Sequence, residues 1–118
     1  MHDNEINQLA TQEQVVEKRE KLVFVPNKSG HDFGPAEKFG KIIFLTDGPV
    51  QRFSVNNLYR SLHDKLKHAA EEDFLVVTSL NIITSIASAY LGSRFTRVRF
   101  LLWRNGEYVE RVLDIAHP

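Results

Sequence analysis

The chain of 118 residues contains no cysteine. That absence removes disulfide-stapled scaffolds, thiolate zinc sites, iron–sulfur clusters and cysteine nucleophiles together. An excess of either charge is lacking too, because 15 Lys and Arg balance 15 Asp and Glu for a formal net charge of zero. Such a balance argues against a protein that grips nucleic acid by bulk electrostatics. No window approaches the roughly 18 uninterrupted apolar residues of a membrane span. The acids Asp3, Glu5, Glu13, Glu17 and Glu20 make the amino end unlike a basic-then-apolar leader. The expectation is a cytoplasmic protein with no membrane contact. Neither G-x-G-x-x-G nor G-x-x-x-x-G-K-[ST] occurs, so the glycines that let backbone approach a pyrophosphate are missing and no cofactor is expected. There is no internal repeat and no low-complexity stretch.

What is present describes one globular domain. At 42% apolar and 25% charged residues, a chain of this length can bury a core without help from metal or disulfide. Residues 1–20 read as a polar amino-terminal tail or a docked helix. Their apolar stripe, Ile6, Leu9 and Val16, is too thin to bury much area. Residues 21–118 read as a single α/β domain.

Within that domain short apolar runs alternate with helical periodicity. The first run, Leu22 to Val25, is stopped by Pro26, and the polar loop Asn27 to Asp32 leads to Gly34-Pro35-Ala36-Glu37-Lys38-Phe39-Gly40. Proline near the start and glycine past the end mark one short helix. The second run, Lys41 to Leu45, is nearly continuous in apolar residues, as in a strand covered on both faces. Thr46-Asp47-Gly48-Pro49 is a turn, and Ser54 can cap a helix over 55–70 whose stripe includes Val55, Leu58, Leu62, Leu66 and Ala69. A third run, Phe74 to Val77, precedes Thr78-Ser79-Leu80-Asn81, which can cap a helix over 82–91 that stops at Gly92. Last, Asn105-Gly106 separates two β-prone runs, the strongest short hairpin signal. The expected fold is a small three-layer, Rossmann-like open sheet, mostly parallel, in the order β-α-β-α-β-α-β-β with a carboxyl-terminal antiparallel hairpin.

In an open sheet of this kind ligands bind outside the carboxyl ends of the strands, where the strand order reverses. Those ends carry Lys28, Ser29, His31 and Asp32 after the first strand, Asp47 after the second, and Thr78, Ser79 and Asn81 after the third. They form the expected ligand rim, with its cation, imidazole, carboxylates, hydroxyls and helix start suited to a small anionic ligand. Loops of this kind are rich in the same residue types because they turn chains and cap helices, which accounts for Thr46, Gly48, Ser79 and Asn81 with no ligand. His31 beside Asp32 is the candidate catalytic pair, as acid or base and its orienting carboxylate, though no nucleophile motif completes a triad.

No metal site is expected. His63 and His68 lie about 140° apart around a helix, off the spacing that lets two imidazoles share one ion, and both are expected to be solvated. Near the carboxyl end Arg97 and Arg99 project from one face of a strand, with Trp103 beyond them. They make a candidate surface for a protein or nucleic-acid partner, nucleic acid being the less favoured. A basic edge strand also discourages unwanted strand pairing, and an exposed hairpin edge leaves a homo-oligomer open.

The segments NKSGHD (Asn27 to Asp32), EKFG (Glu37 to Gly40), FLTDG (Phe44 to Gly48) and LLWRNGEYVER (Leu101 to Arg111) resemble a group of small α/β proteins encoded largely in phage genomes. The resemblance spans about residues 22–113 and leaves the acidic amino-terminal segment outside it. It implies a phage origin and supports the fold, and no activity comes with it. Three readings follow: a phage-type binding protein with its ligand or partner at the rim, an enzyme on a small phosphorylated or nucleotide-like substrate using His31, or an interaction protein acting through the arginine-rich hairpin.

Overall fold

A computed structural model describes residues 19–118 apart from Ser29, Ser79 and Leu80. The tail or docked helix expected over 1–20 therefore lies outside the described residues, save for Arg19 and Glu20.

Five strands form one sheet: β1 (Leu22–Asn27), β2 (Lys41–Thr46), β3 (Phe74–Val77), β4 (Arg97–Arg104) and β5 (Glu107–Asp114). Their spatial order is β2-β1-β3-β4-β5. Four are parallel, and β5 returns antiparallel to β4. The connections are a 3-10 helix, η1 (Gly34–Phe39), and two α-helices, α1 (Val55–Leu66) and α2 (Ile82–Phe95). The open, mostly parallel α/β sheet with its terminal hairpin is the architecture read from the sequence.

The chain first steps from β1 to β2 in one direction and then crosses over to β3 and β4 in the other. Connections of one hand that travel in opposite directions must cover opposite faces. Accordingly α1 and α2 pack with Phe24, Leu45, Leu75 and Val98 on one face, while Ala36 of η1 packs with Val23, Val25, Phe74, Val76 and Leu101 on the other. Fully buried Phe24, Leu62, Leu66, Leu75 and Leu101 each contribute about 1.5–3 kcal/mol by leaving water. The η1 face has only six helical residues to cover it, and this thin cover is what leaves room for a cavity.

Several boundaries differ from expectation, each for a local reason. β1 continues through Pro26 to Asn27. Proline has no N–H to give a ladder, and the pairing of β1 with β3 ends earlier, at Phe24 and Leu75. β2 is an outer strand and only half-buried except at Leu45, not covered on both faces. The helix expected over 55–70 ends at Leu66, because the Ala70 N–H is drawn to the Asp73 carboxylate at 2.8 Å. Ser54 stands at its start without a side-chain cap bond.

Asn81 does cap α2, accepting from the Thr84 N–H at 2.8 Å, but the helix runs past Gly92 to Phe95 and ends at Thr96 in the left-handed region (φ 57°). Gly92 serves packing instead, since a Cβ there would stand 2.9 Å from Ile115 Cδ1. Gly40 ends η1 by close approach: a Cβ would lie 2.3 Å from the Lys21 carbonyl oxygen, and the next N–H, of Lys41, donates to that oxygen. Positive φ at both Asn105 and Gly106 makes the hairpin turn the type whose twist matches its strands.

Candidate functional site

β1 and β3 are tied at their amino ends, and their pairing stops before their carboxyl ends. Asp73, just before β3, is 5% exposed. One carboxylate oxygen accepts from the Leu22 N–H (2.9 Å) and Arg19 Nη1 (2.8 Å), the other from the Ala70 N–H (2.8 Å) and Arg19 Nη2 (2.9 Å). Only Val23–Phe74 and Phe24–Leu75 pair beyond that clasp. The pairing stops there, at the point where the strand order reverses, the place where open α/β sheets hold ligands.

On the η1 face, beyond the strand ends, lies a cavity of about 450 Å³. The loop after β1 supplies His31, Asp32 and Phe33, η1 supplies Pro35, the end of β3 supplies Val77 and Thr78, and the hairpin supplies Trp103 and Tyr108. The loop is built from its own residues. Phe33 is buried and meets Phe44 edge-on at 5.9 Å. Its carbonyl accepts from the Ala36 N–H, and Asp32 Oδ1 accepts from the Gly34 N–H at 2.9 Å, a side-chain turn that launches η1. With Phe33 anchored, His31 and Asp32 are left exposed above it.

The opposite wall is the pair Trp103 and Tyr108, directly opposed across β4 and β5. Their ring centroids are 4.9 Å apart at 67°, an edge-to-face contact. Tyr108 is 7% exposed and Trp103 53%, so one ring supports the other at the mouth. Burial, and then the negative charge of Asp32, push the Tyr108 phenol above its ordinary pKa. At neutral pH it is a hydroxyl that can both donate and accept.

A family model for Phage Pam3 gp32-like protein matches residues 12–115. The chain belongs to the Phage Pam3 gp32-like family. No curated protein and no solved structure matches it. The match begins at residue 12, so part of the amino-terminal segment that the sequence resemblance left outside belongs to the family's extent.

The fold brings together some of the expected rim and separates other described members of it. His31, Asp32 and Thr78 share the cavity. Lys28 does not line it; its ammonium stands 5.7 Å from the centre of the Phe44 ring. Asp47 is exposed in the loop after β2. Asn81 lies with Asn27, Gly48, Arg52 and Phe53 around a second cavity of about 410 Å³, beside the start of α2. Ser29 and Ser79 lie outside the described residues. All three rim strands are parallel, yet their loops diverge to the two faces, because one is followed by η1 and the others by α-helices.

Two of the hairpin arginines, Arg97 and Arg99, lie in ion pairs, Arg97 from an exposed position. Arg99 Nη1 lies 3.0 Å from Glu110, and Arg97 lies 3.8 Å from Glu71 and 3.7 Å from Asp114. Trp103 stands apart from them at the cavity. His63, expected to be solvated, is half-buried between Tyr59 and Tyr90, each ring centre 5.7 Å away, while His68 is exposed. Among the described residues no group of three His, Asp or Glu side chains could hold a metal ion, and no helix is long and apolar enough to cross a membrane.

Sequence reasoning passed over Phe33, Pro35 and Val77. Phe33 carried a signal, an isolated aromatic between a polar loop and a proline, which marks an anchor. It also passed over the Arg19–Asp73 clasp, whose partners are 54 residues apart and show no local pattern.

Proposed function

We propose that this phage-family protein acts by binding a small molecule in the cavity between the loop after β1 and the β4–β5 hairpin. The observation that carries the reading is the cavity at the reversal of strand order, where polar side chains from separate loops converge above a buried aromatic floor. Its volume is in the range of small-molecule sites, and a few polar groups on a largely apolar lining are what such sites use. In this reading the protein works in the host cytoplasm. His31 serves as a binding group, since no hydrogen bond ties it to Asp32 among the described residues. The hairpin reading is weaker, because Arg97 and Arg99 are already engaged by Glu71, Asp114 and Glu110.

Native mass spectrometry of the purified protein, under gentle and then denaturing conditions, tests this against a Thr78→Trp variant that fills the cavity from an exposed position. The expected result is a small mass carried by the wild type, released on denaturation and missing from the variant. Equal retention by both proteins, or bare wild type that also shows no melting shift across a library of small molecules, overturns the reading.

A further inference from the structure

We infer that the ligand of this cavity is a planar nitrogen heterocycle bearing N–H donors, of the nucleobase kind, stacked on Trp103 and donating to Asp32. This rests on the reading of the cavity as a ligand site and adds the chemical class.

The lining argues against an anion. Its one carboxylate is Asp32 and it includes no lysine or arginine. Lys28, the cation expected there, is engaged with the Phe44 ring. Backbone donors that could cradle a phosphate are spoken for at this wall, the Gly34 N–H by Asp32 and the Ala36 N–H by Phe33. A phosphate in the cavity would meet the like charge of Asp32 and find no lysine or arginine to offset it.

The same features suit a flat ring with donors on its edge. Trp103 is held edge-on by Tyr108 and leaves about half its surface open at the cavity mouth. Aromatic side chains in that state bind bases by stacking. Asp32 is oriented through Oδ1 by the Gly34 N–H, and among the described residues nothing donates to Oδ2. A carboxylate oxygen accepts, so the exposed second oxygen is available to an N–H. Thr78 and Tyr108, two hydroxyls at the same cavity, can complement a ring edge that carries acceptors as well as donors. A volume of about 450 Å³ accommodates a nucleoside.

Trp103 is the chain's single tryptophan, so its emission reports this site alone. The full chain is titrated with adenosine, guanosine, cytidine and uridine, and separately with inorganic phosphate. Saturable quenching by at least one amino-bearing nucleoside is expected, with uridine, which lacks an exocyclic amine, binding more weakly. Asp32→Asn should weaken the response about tenfold, the scale of one charge-assisted hydrogen bond, while its circular dichroism and melting stay those of the wild type. Saturable quenching by phosphate without any by nucleosides overturns the ligand class and leaves the cavity as a ligand site. Nucleoside quenching that Asp32→Asn leaves unchanged overturns the assigned contact. No response to any nucleoside overturns the inference, and the cavity reading then stands or falls on the mass-retention comparison with Thr78→Trp.

Discussion

The clasp at Asp73 is the point where one substitution should unfasten β1 from β3. The carboxylate is nearly out of water and accepts four hydrogen bonds, two from Arg19 and one each from the Leu22 and Ala70 N–H groups. Asp73→Asn keeps the volume but turns one oxygen into a donor. Either orientation of the amide then sets an NH₂ against a backbone N–H and a guanidinium N–H. Two of the four bonds are lost and one backbone donor is stranded. A bond to a charged group contributes about 1.5–3 kcal/mol, and the stranded donor is the same loss seen from its other partner, so two lost bonds give an expected loss of at least about 3 kcal/mol.

Arg19→Ala should cost less, about 1–2 kcal/mol, because the arginine is 29% exposed and the carboxylate keeps both backbone donors. Urea unfolding followed by circular dichroism reads both. With a slope of about 2 kcal/mol per molar, Asp73→Asn should lower the midpoint by about 1.5 M. In the double variant the two losses should fall short of their sum, since they remove shared bonds. An Asp73→Asn midpoint within about 0.3 M of wild type, or an Arg19→Ala loss equal to that of Asp73→Asn, would refute the argument that the carboxylate organises this junction.

The two packed glycines should separate in the same assay. Gly40→Ala drives a Cβ to 2.3 Å from backbone oxygen and should cost about 1–3 kcal/mol. Gly92→Ala crowds the end of the exposed Ile115 side chain and meets Val98 Cγ2 at an ordinary contact distance of 3.7 Å, gains helix propensity of about 1 kcal/mol and should be neutral or stabilising. Equal losses at both positions would contradict this. Phe33→Ala, which removes the buried anchor of the cavity loop, should cost about 3–5 kcal/mol and abolish Trp103 quenching by nucleosides; a stable variant that still binds would show that the loop does not depend on its floor.

Tyr108 offers a pH test. Its folded pKa is raised, so between the unfolded value of about 10 and the folded one the unfolded chain has lost a proton that the native protein keeps. The stability it contributes is fully present below the unfolded value and is lost as pH rises through the folded one. Of the three tyrosines, one should ionise late in an ultraviolet titration, and Asp32→Asn should move it to lower pH. An identical titration in that variant would mean that Asp32 does not face the phenol.

Features of the fold that depend on neighbours in the chain were readable from residue order. Asn105-Gly106 announces a turn with two positive φ values, Asn81 caps the helix that follows it, and Pro35 with Gly40 brackets η1. Alternating apolar runs and helical stripes were enough for an open parallel sheet, because burial of each element's apolar face admits few architectures. The polar rim was legible as a set of residues and not as a place. His31 and Asp32 meet Trp103 and Tyr108, rather than Asp47 and Asn81, only because β1 turns toward β2 while β3 leads to β4, and nothing local encodes the direction of that step. The Asp73 clasp, the packing of Ile115 over Gly92 and the short pairing of β1 with β3 likewise join residues far apart in the chain. Local backbone chemistry acts over a few residues and was settled by the sequence itself; the shape and charge of the cavity depend on which distant surfaces share one core, and tertiary structure alone decided them.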